Sequence, residues 1–360
     1  MNPREYLLRW TPGGSQTRSK RDLFVSPETV YYAEGAHVWD ERGYKHIDWI
    51  AGLAAVGLGY RHPIVNAAVE RQIKSGVTFP LPTRLEGEVA ELLCETLKWP
   101  EQVRWVKTGS EATDGAMVIA RAHTGRRKVV SVGYHGWHQA HLPSADLVAL
   151  PIGSSRVFLE IDGQTAAVLV EPMRDTVLLD ALYLNEIKRM CHEVGALFIL
   201  DEIVTGFRWA IGGASEYFGI TPDLACYGKA MANGYPIAAI VGPRRLMVHA
   251  SGVSSTFGGE CLGLAAARAT INVYRDEPVV NTLWERGSQL MAGVPELEGY
   301  AVHPHWPSEW PDEEKRRRSQ LAAERGVLFH PAGGNPMYAH TEEDVKKTIE
   351  ALNSGAAQVA

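Results

Sequence analysis

Between residues 64 and 241 the chain alternates two kinds of apolar pattern. One recurs with helical spacing, over 64–74, 84–97, 111–123 and 182–194. Apolar residues three and four apart give a helix one face to bury. The other is short and apolar throughout, over 129–132, 166–170, 196–200, 224–227 and 238–241. Runs without polar alternation behave as strands covered on both faces. Strands that alternate with helices predict an α/β fold, a mainly parallel sheet wrapped by helices.

The ends of the chain read differently. Val38-Trp39-Asp40 and Lys45-His46-Ile47-Asp48 flank a turn at Glu41-Arg42-Gly43, the pattern of a small meander. A long helix is expected over 259–274. Beyond it, helical stretches alternate with a loop rich in Pro and Trp over 302–311. The expected division is a large domain over 50–260 and a smaller α+β domain formed by 1–49 with 261–360.

Composition narrows the field without naming a function. The chain has 360 residues, 45% hydrophobic and 22% charged, ordinary values for a globular enzyme. Its formal net charge of -6 argues against a nucleic-acid binder, whose phosphate contacts favour a basic surface. The basic run Lys315-Arg316-Arg317-Arg318 follows Asp312-Glu313-Glu314 and reads as a solvated helix face. Cys94, Cys191, Cys226 and Cys261 stand far apart, which suits free thiols in a reducing compartment. Residues 1–21 contain no apolar core of a secretion signal, and no apolar run approaches a membrane span. A cytoplasmic location with no membrane partner is expected.

Four places carry candidate chemistry. Asp201-Glu202 follows the run 196–200, and acids at the carboxyl end of a parallel strand lie where ligands bind in open α/β sheets. A strand-ending turn is the plainer reading. Gly228-Lys229-Ala230 follows the run 224–227. A partly desolvated amine there loses proton affinity and becomes a nucleophile, whereas an isolated lysine is ordinarily a surface residue. Lys107-Thr108-Gly109-Ser110-Glu111-Ala112 opens a helix, offering N–H groups and a hydroxyl to a phosphate or simply a Ser cap. The spacing is not that of a Walker loop. In Gly133-Tyr134-His135-Gly136-Trp137-His138, Tyr134 could stack on a flat heterocycle or cap the core. His135, His138 and His141 recur every three residues, the one metal alternative. Gly136 and Pro143 break a regular helix there, and no metal is expected.

Together these segments resemble the class III aminotransferases of the fold type I pyridoxal 5'-phosphate (PLP) enzymes, in the branch of glutamate-1-semialdehyde aminomutase and the polysaccharide-cluster aminotransferases. The likeness runs from Pro12-Gly13-Gly14 through Gly35-Ala36-His37-Val38-Trp39-Asp40 to Ala339-His340-Thr341. Its most specific stretch is Asp201-Glu202-Ile203-Val204-Thr205-Gly206-Phe207-Arg208, then Thr221-Pro222-Asp223, then Gly228-Lys229-Ala230.

The resemblance implies roles. Lys229 would hold the cofactor as a Schiff base and move the proton of the substrate. Asp201 would keep the pyridine nitrogen protonated. Ile203 and Tyr134 would cover the two ring faces, with His135 beside the cofactor. Gly109 and Ser110 would hold the phosphate. Thr256, in Ser255-Thr256-Phe257-Gly258-Gly259-Glu260, would serve the neighbouring subunit of a homodimer. The implied activity is a ping-pong transfer of an amino group from an amine to a carbonyl substrate.

The sequence also departs from the branch. Leu53 stands where the aminomutase carries tryptophan, and Ser15-Gln16-Thr17-Arg18-Ser19-Lys20 replaces its carboxylate-reading element. Glu171-Pro172-Met173-Arg174 fits the polysaccharide-cluster branch better, with Thr176 in place of an asparagine. Trp137, Arg174, His135 and Leu53 are the candidate substrate contacts, and Trp49 is either pocket or core. The chain is short for the family, compressed over 141–158 and reduced after 293, which predicts a more open pocket. An aminomutase is the alternative within the class, and a non-catalytic PLP-fold binding protein the alternative outside it.

Overall fold

The computed structural model describes residues 3–21, 23–138, 144–174 and 177–354. The chain divides into two compact units, Pro63–Val280 and Met1–His62 with Asn281–Ala360. These boundaries fall at 62/63 and 280/281, against the expected 49/50 and 260/261.

The larger unit is built on a seven-stranded sheet. Its order is Gln102–Val106, Ala238–Gly242, Leu224–Tyr227, Leu197–Asp201, Thr165–Val170, Lys128–Val132 and Leu147–Leu150. Only Ala238–Gly242 runs against the others. The mainly parallel α/β sheet expected from the apolar runs is therefore present. Every residue of Thr165–Val170 and Leu197–Asp201 is buried. Side chains alternate between two cores: Ala167, Leu169, Leu197 and Ile199 on one face, Val168, Val170, Phe198 and Leu200 on the other.

Helix Gly109–Thr124 shows why the local sequence folds as it does. Thr108 caps it, accepting from the Glu111 N–H, while Glu111 reaches back to the Thr108 and Lys107 N–H groups. Gly125 ends it in a left-handed conformation. Ala112, Ala116, Met117, Ile119 and Ala120 are buried on one face. Burial of the Met and Ile side chains contributes roughly 1.5–3 kcal/mol each. Gly115 allows the close approach: a Cβ there would lie 2.5 Å from Ile240 Cδ1.

In the smaller unit, Val30–Glu34, His37–Asp40 and Lys45–Asp48 form an antiparallel meander. Val327–Leu328 adds to its edge parallel to Lys45–Asp48, so strands from opposite ends of the chain share one sheet. Trp49 is core and not a pocket wall. It is fully buried, stacks on His340 at 4.3 Å and donates to Thr348 Oγ1 at 2.9 Å.

The region rich in Pro and Trp is also core: Trp306 is buried, stacked on Trp310 and edge-on to Phe329. The basic run departs from expectation too. It lies on helix Asp312–Ala323, but Lys315 and Arg318 are buried. Arg317 and Arg318 both bond Glu314, and the Arg318 guanidinium covers the Trp310 ring at 5.1 Å. Hydrogen bonding by Arg317 above all holds the Glu314 carboxyl down to about 2. Charged side chains with long apolar stems pack this way when an aromatic surface is at hand.

Among the described residues all four cysteines are free, and no helix is long and apolar enough to cross a membrane.

Candidate active site

The site lies along the carboxyl edge of the central sheet. Asp201 ends its strand beside Cys226 of the neighbouring strand and is nearly buried. Its Oδ1 accepts the Ile203 N–H at 3.0 Å. Its Oδ2 lies 2.7 Å from His135 Nδ1, and His135 Nε2 lies 3.1 Å from the Val132 carbonyl. Both ring nitrogens of His135 thus face acceptors, and the ring donates to both only when both carry protons. Thr113 holds this segment from below, donating to the His135 carbonyl at 2.7 Å. With a fully buried side chain and both nitrogens engaged, His135 acts on Asp201. It has no nitrogen left for a substrate or a metal.

Close backbone approaches draw the other segments together. Gly136 has φ +94°, and a Cβ there would sit 1.7 Å from Ser110 Oγ. The loop after strand Lys128–Val132 therefore rests directly on the first turn of helix Gly109–Thr124. Ile203 lies between two glycines: a Cβ on Gly109 would meet it at 3.0 Å and one on Gly228 at 3.1 Å. The isoleucine side chain consequently spans the space between the Gly109-Ser110 turn and the Gly228-Lys229 turn.

Lys229 follows strand Leu224–Tyr227, opening a short 3-10 turn over Lys229–Ala232 with φ +44°. Left-handed backbone at a residue with a side chain is strained and must be held by its surroundings. Burial lowers the proton affinity of the Lys229 amine. The charges of Glu171 and Asp201 act against that shift, and Arg208 and Arg174 act with it.

Glu171 is the residue whose role the sequence reading missed. Its carboxylate is buried and accepts the Tyr134 N–H at 2.8 Å, and Arg174 approaches it at 3.9 Å. The Arg174 guanidinium lies over the Tyr134 ring at 4.5 Å, so Tyr134 is held by its backbone and by its ring face. Burial, with the nearby Asp201 charge, pushes the Glu171 carboxyl up to about 7. The available signal was an acid directly after a fully apolar strand, as at Asp201.

Trp137 is 74% exposed, edge-on to His138. His138 leans toward Asp114 at 3.4 Å. His141 and Thr176 lie outside the described residues, and among those described no three His, Cys, Asp or Glu side chains gather as a metal site. Thr256 is exposed in a turn of the larger unit. Leu53 belongs to the smaller unit, in a turn where Ala51, Gly52, Leu53 and Ala54 all have positive φ. Glu202 turns away from the site. It is buried, bonded by the Thr205 hydroxyl and by the Ala214 and Ser215 N–H groups at 2.9 and 2.7 Å.

Comparison with known proteins points the same way. The sequence profile of the class-III aminotransferases matches residues 20–149 and 152–353. A glutamate-1-semialdehyde 2,1-aminomutase of Syntrophobacter fumaroxidans is 30% identical, covering 98% of this chain and 95% of the relative. That alignment runs over 413 positions against the 360 residues here, so this chain meets the relative with internal gaps. The structure of the PLP internal aldimine form of FumI from Sphingopyxis sp. MTA144 superposes with a TM-score of 0.92 at 29% identity, covering 99% of this chain and 95% of that one. A beta-phenylalanine aminotransferase from Variovorax paradoxus gives 0.89 at 26% identity, covering 99% and 93%.

Proposed function

Because this chain belongs to the class III aminotransferases and is a PLP-dependent transaminase, we propose that Lys229 carries its cofactor and that Asp201, Gly109, Ser110, Tyr134 and Ile203 hold it. The observation that carries this reading is the convergence at one sheet edge. A strand-end carboxylate, a lysine of lowered proton affinity and a helix N-terminus with a hydroxyl are linked there through Ile203. These groups fit PLP: an acid for a ring nitrogen, an amine for an aldehyde, N–H groups for a phosphate. The bound cofactor supplies an electron sink for the bond broken at the substrate carbon.

The chain's own residues do the rest. Asp201 keeps a proton on the ring nitrogen, and His135 fixes the carboxylate's orientation. Ile203 would cover one ring face and Tyr134 the other. The Gly109 N–H and the Ser110 N–H and hydroxyl hold the phosphate. Once displaced, Lys229 Nζ takes the proton from the substrate Cα and returns it elsewhere, a task suited to an amine titrating below its usual range. The amine donor leaves as a carbonyl compound before the acceptor enters, which is ping-pong order. Arg174, already placed over Tyr134, is the side chain proposed to meet an anionic group of the substrate, with Trp137 as a further contact. A homodimer is proposed in which the exposed Thr256 serves the neighbouring site. The free thiols suit the proposed cytoplasmic location.

The test is the visible spectrum of protein saturated with PLP. An absorption band is expected that an amine donor bleaches and a keto acid restores, and that Lys229→Ala lacks. A band that persists unchanged in Lys229→Ala would overturn the assignment. An aminomutase, the activity named for the 30% identical relative, turns over a single substrate. Turnover that requires a second carbonyl compound excludes it.

A further inference from the structure

One ammonium group ties together three segments that the proposed function treats separately. Lys107 directly precedes the Thr108-Gly109-Ser110 turn. Its N–H and that of Thr108 both donate to the Glu111 carboxylate at 2.8 Å, which locks its backbone to the first helical turn. Its side chain reaches elsewhere. Nζ lies 2.8 Å from Glu260 Oε2 and donates to the Pro236 carbonyl at 3.2 Å. Both side chains are largely buried, at 15% and 13% exposure.

Each partner anchors a different loop. Glu260 caps helix Cys261–Asp276, accepting the Leu262 and Gly263 N–H groups at 2.6 and 3.2 Å. It also closes the turn that carries Thr256, since the Glu260 N–H donates to the Phe257 carbonyl at 3.1 Å. That turn lies close against the sheet: a Cβ on Gly258 would meet the Trp105 carbonyl at 2.8 Å. Pro236 ends the segment that leaves Lys229 and enters strand Ala238–Gly242. Gly263 leaves room for the junction, because a Cβ there would lie 3.0 Å from both Lys107 Nζ and the Pro236 carbonyl.

We propose that Lys107 and Glu260 are positioning residues that fix the Ser110 turn and the Lys229 segment for this chain's own site and the Thr256 turn for the neighbouring site, and so set the affinity of both sites for the phosphate of the cofactor. The proposal rests on the assignment of Ser110 to the phosphate of its own site and of Thr256 to that of the neighbouring site. A cation and anion shielded from most of the solvent hold a geometry because separating them leaves each partly desolvated charge without its partner. Neither side chain touches the cofactor in this scheme.

The test compares binding of PLP with binding of pyridoxal, which lacks the phosphate, by absorbance titration of the full-length apoprotein. Lys107→Met leaves the Glu260 cap in place. It is expected to weaken PLP binding roughly ten-fold while weakening pyridoxal binding, which lacks the phosphate contacts, much less. Lys107→Arg, which keeps a cation able to pair with Glu260 and leaves the cap intact, is expected to retain most of the affinity and serves if Lys107→Met folds poorly. Ser110→Ala and Thr256→Ala are measured alongside. If they weaken PLP selectively and Lys107→Met does not, the positioning role is wrong and the phosphate assignment stands. Equal loss of PLP and pyridoxal in Lys107→Met reports general damage and also overturns the role. If Ser110→Ala and Thr256→Ala lose no phosphate-dependent affinity, the assignment of the phosphate fails and this proposal fails with it.

Discussion

Asp201 and Glu202 are neighbours at the end of one buried strand, and they serve regions built on opposite terms. Around Glu202 the fold encloses the carboxylate with three donors from residues 205–215. Gly213 is pressed so close that a Cβ there would lie 2.2 Å from Glu202 Oε2. Around Asp201 the bonds come from Ile203 and His135, and three further titratable side chains, Glu171, Arg174 and Lys229, gather at the same edge. A closed cage spends a carboxylate's hydrogen-bonding capacity on the fold. An edge stocked with charges whose shifts depend on one another is the arrangement expected of a reaction site. Acid character and burial are common to both residues, so the partners decide which is which.

The largest expected effect comes from opening the cage. Glu202→Ala leaves two buried N–H groups and a hydroxyl without their acceptor, and orphaned buried donors cost about 1–3 kcal/mol each. Chemical denaturation of the apoprotein is expected to show a loss of roughly 3–5 kcal/mol, with PLP affinity of the folded fraction little changed. A selective loss of cofactor affinity at full stability would reverse the assignment of the two regions. Asp201→Ala should do the opposite. Removing a preorganised charge at a site costs on the order of 10²–10³ in turnover, while the melting temperature of the apoprotein should move far less than in Glu202→Ala. Steady-state kinetics and thermal melts on the two variants together give the contrast directly.

A smaller effect is expected at the contact that brings the His135 loop onto the Ser110 turn. Gly136→Ala puts a methyl group where Ser110 Oγ now lies and places a side chain at φ +94°, a strain of roughly 1–3 kcal/mol. Relief requires the loop to lift, which moves Tyr134 and His135 with it. PLP affinity should fall together with stability, unlike in either carboxylate variant. Unchanged affinity would mean that the loop's approach to Ser110 is unconnected with cofactor binding.

Much of this was legible in the sequence, for identifiable reasons. Strands such as Thr165–Val170 and Leu197–Asp201 are apolar on both faces, so the periodicity that would blur a half-exposed strand is absent. Asp201 and Lys229 stand directly after such runs, where strand exits converge whatever the details of the loops. His135 was visible as a residue but not in its role. Its partner is 66 positions away, and the contact depends on a loop folding back over Ser110. Composition misled at Lys315 and Arg318, where a charged helix was expected to face solvent. Their long stems instead pack within the smaller unit, where Arg318 lies over Trp310, and no local pattern encodes an aromatic partner supplied by a preceding loop.

Burial raises a carboxyl to about 7 in both regions, Glu202 in one and Glu171 in the other, and a substitution at Glu171 isolates the share of the reaction edge. In the folded protein, burial and the Asp201 charge raise the Glu171 carboxyl from 4.5 to about 7. In the unfolded chain it ionises near its ordinary value. Below about pH 4.5 both states hold the proton and the group contributes no slope. As pH rises from 4.5 to 7 the unfolded chain ionises first, so ionisation favours unfolding and stability declines across that window. Glu171→Gln keeps an oxygen to accept the Tyr134 N–H but cannot ionise. Denaturation of the apoprotein at pH 5 and pH 7.5 should show the wild type losing about 2 kcal/mol more than the variant over this interval. The variant's advantage should be clear at pH 7.5 and much smaller at pH 5. Identical slopes in the two proteins would mean that Glu171 is already ionised in the fold. The charge balance at the Asp201 edge would then lean more heavily on Arg174 and Lys229.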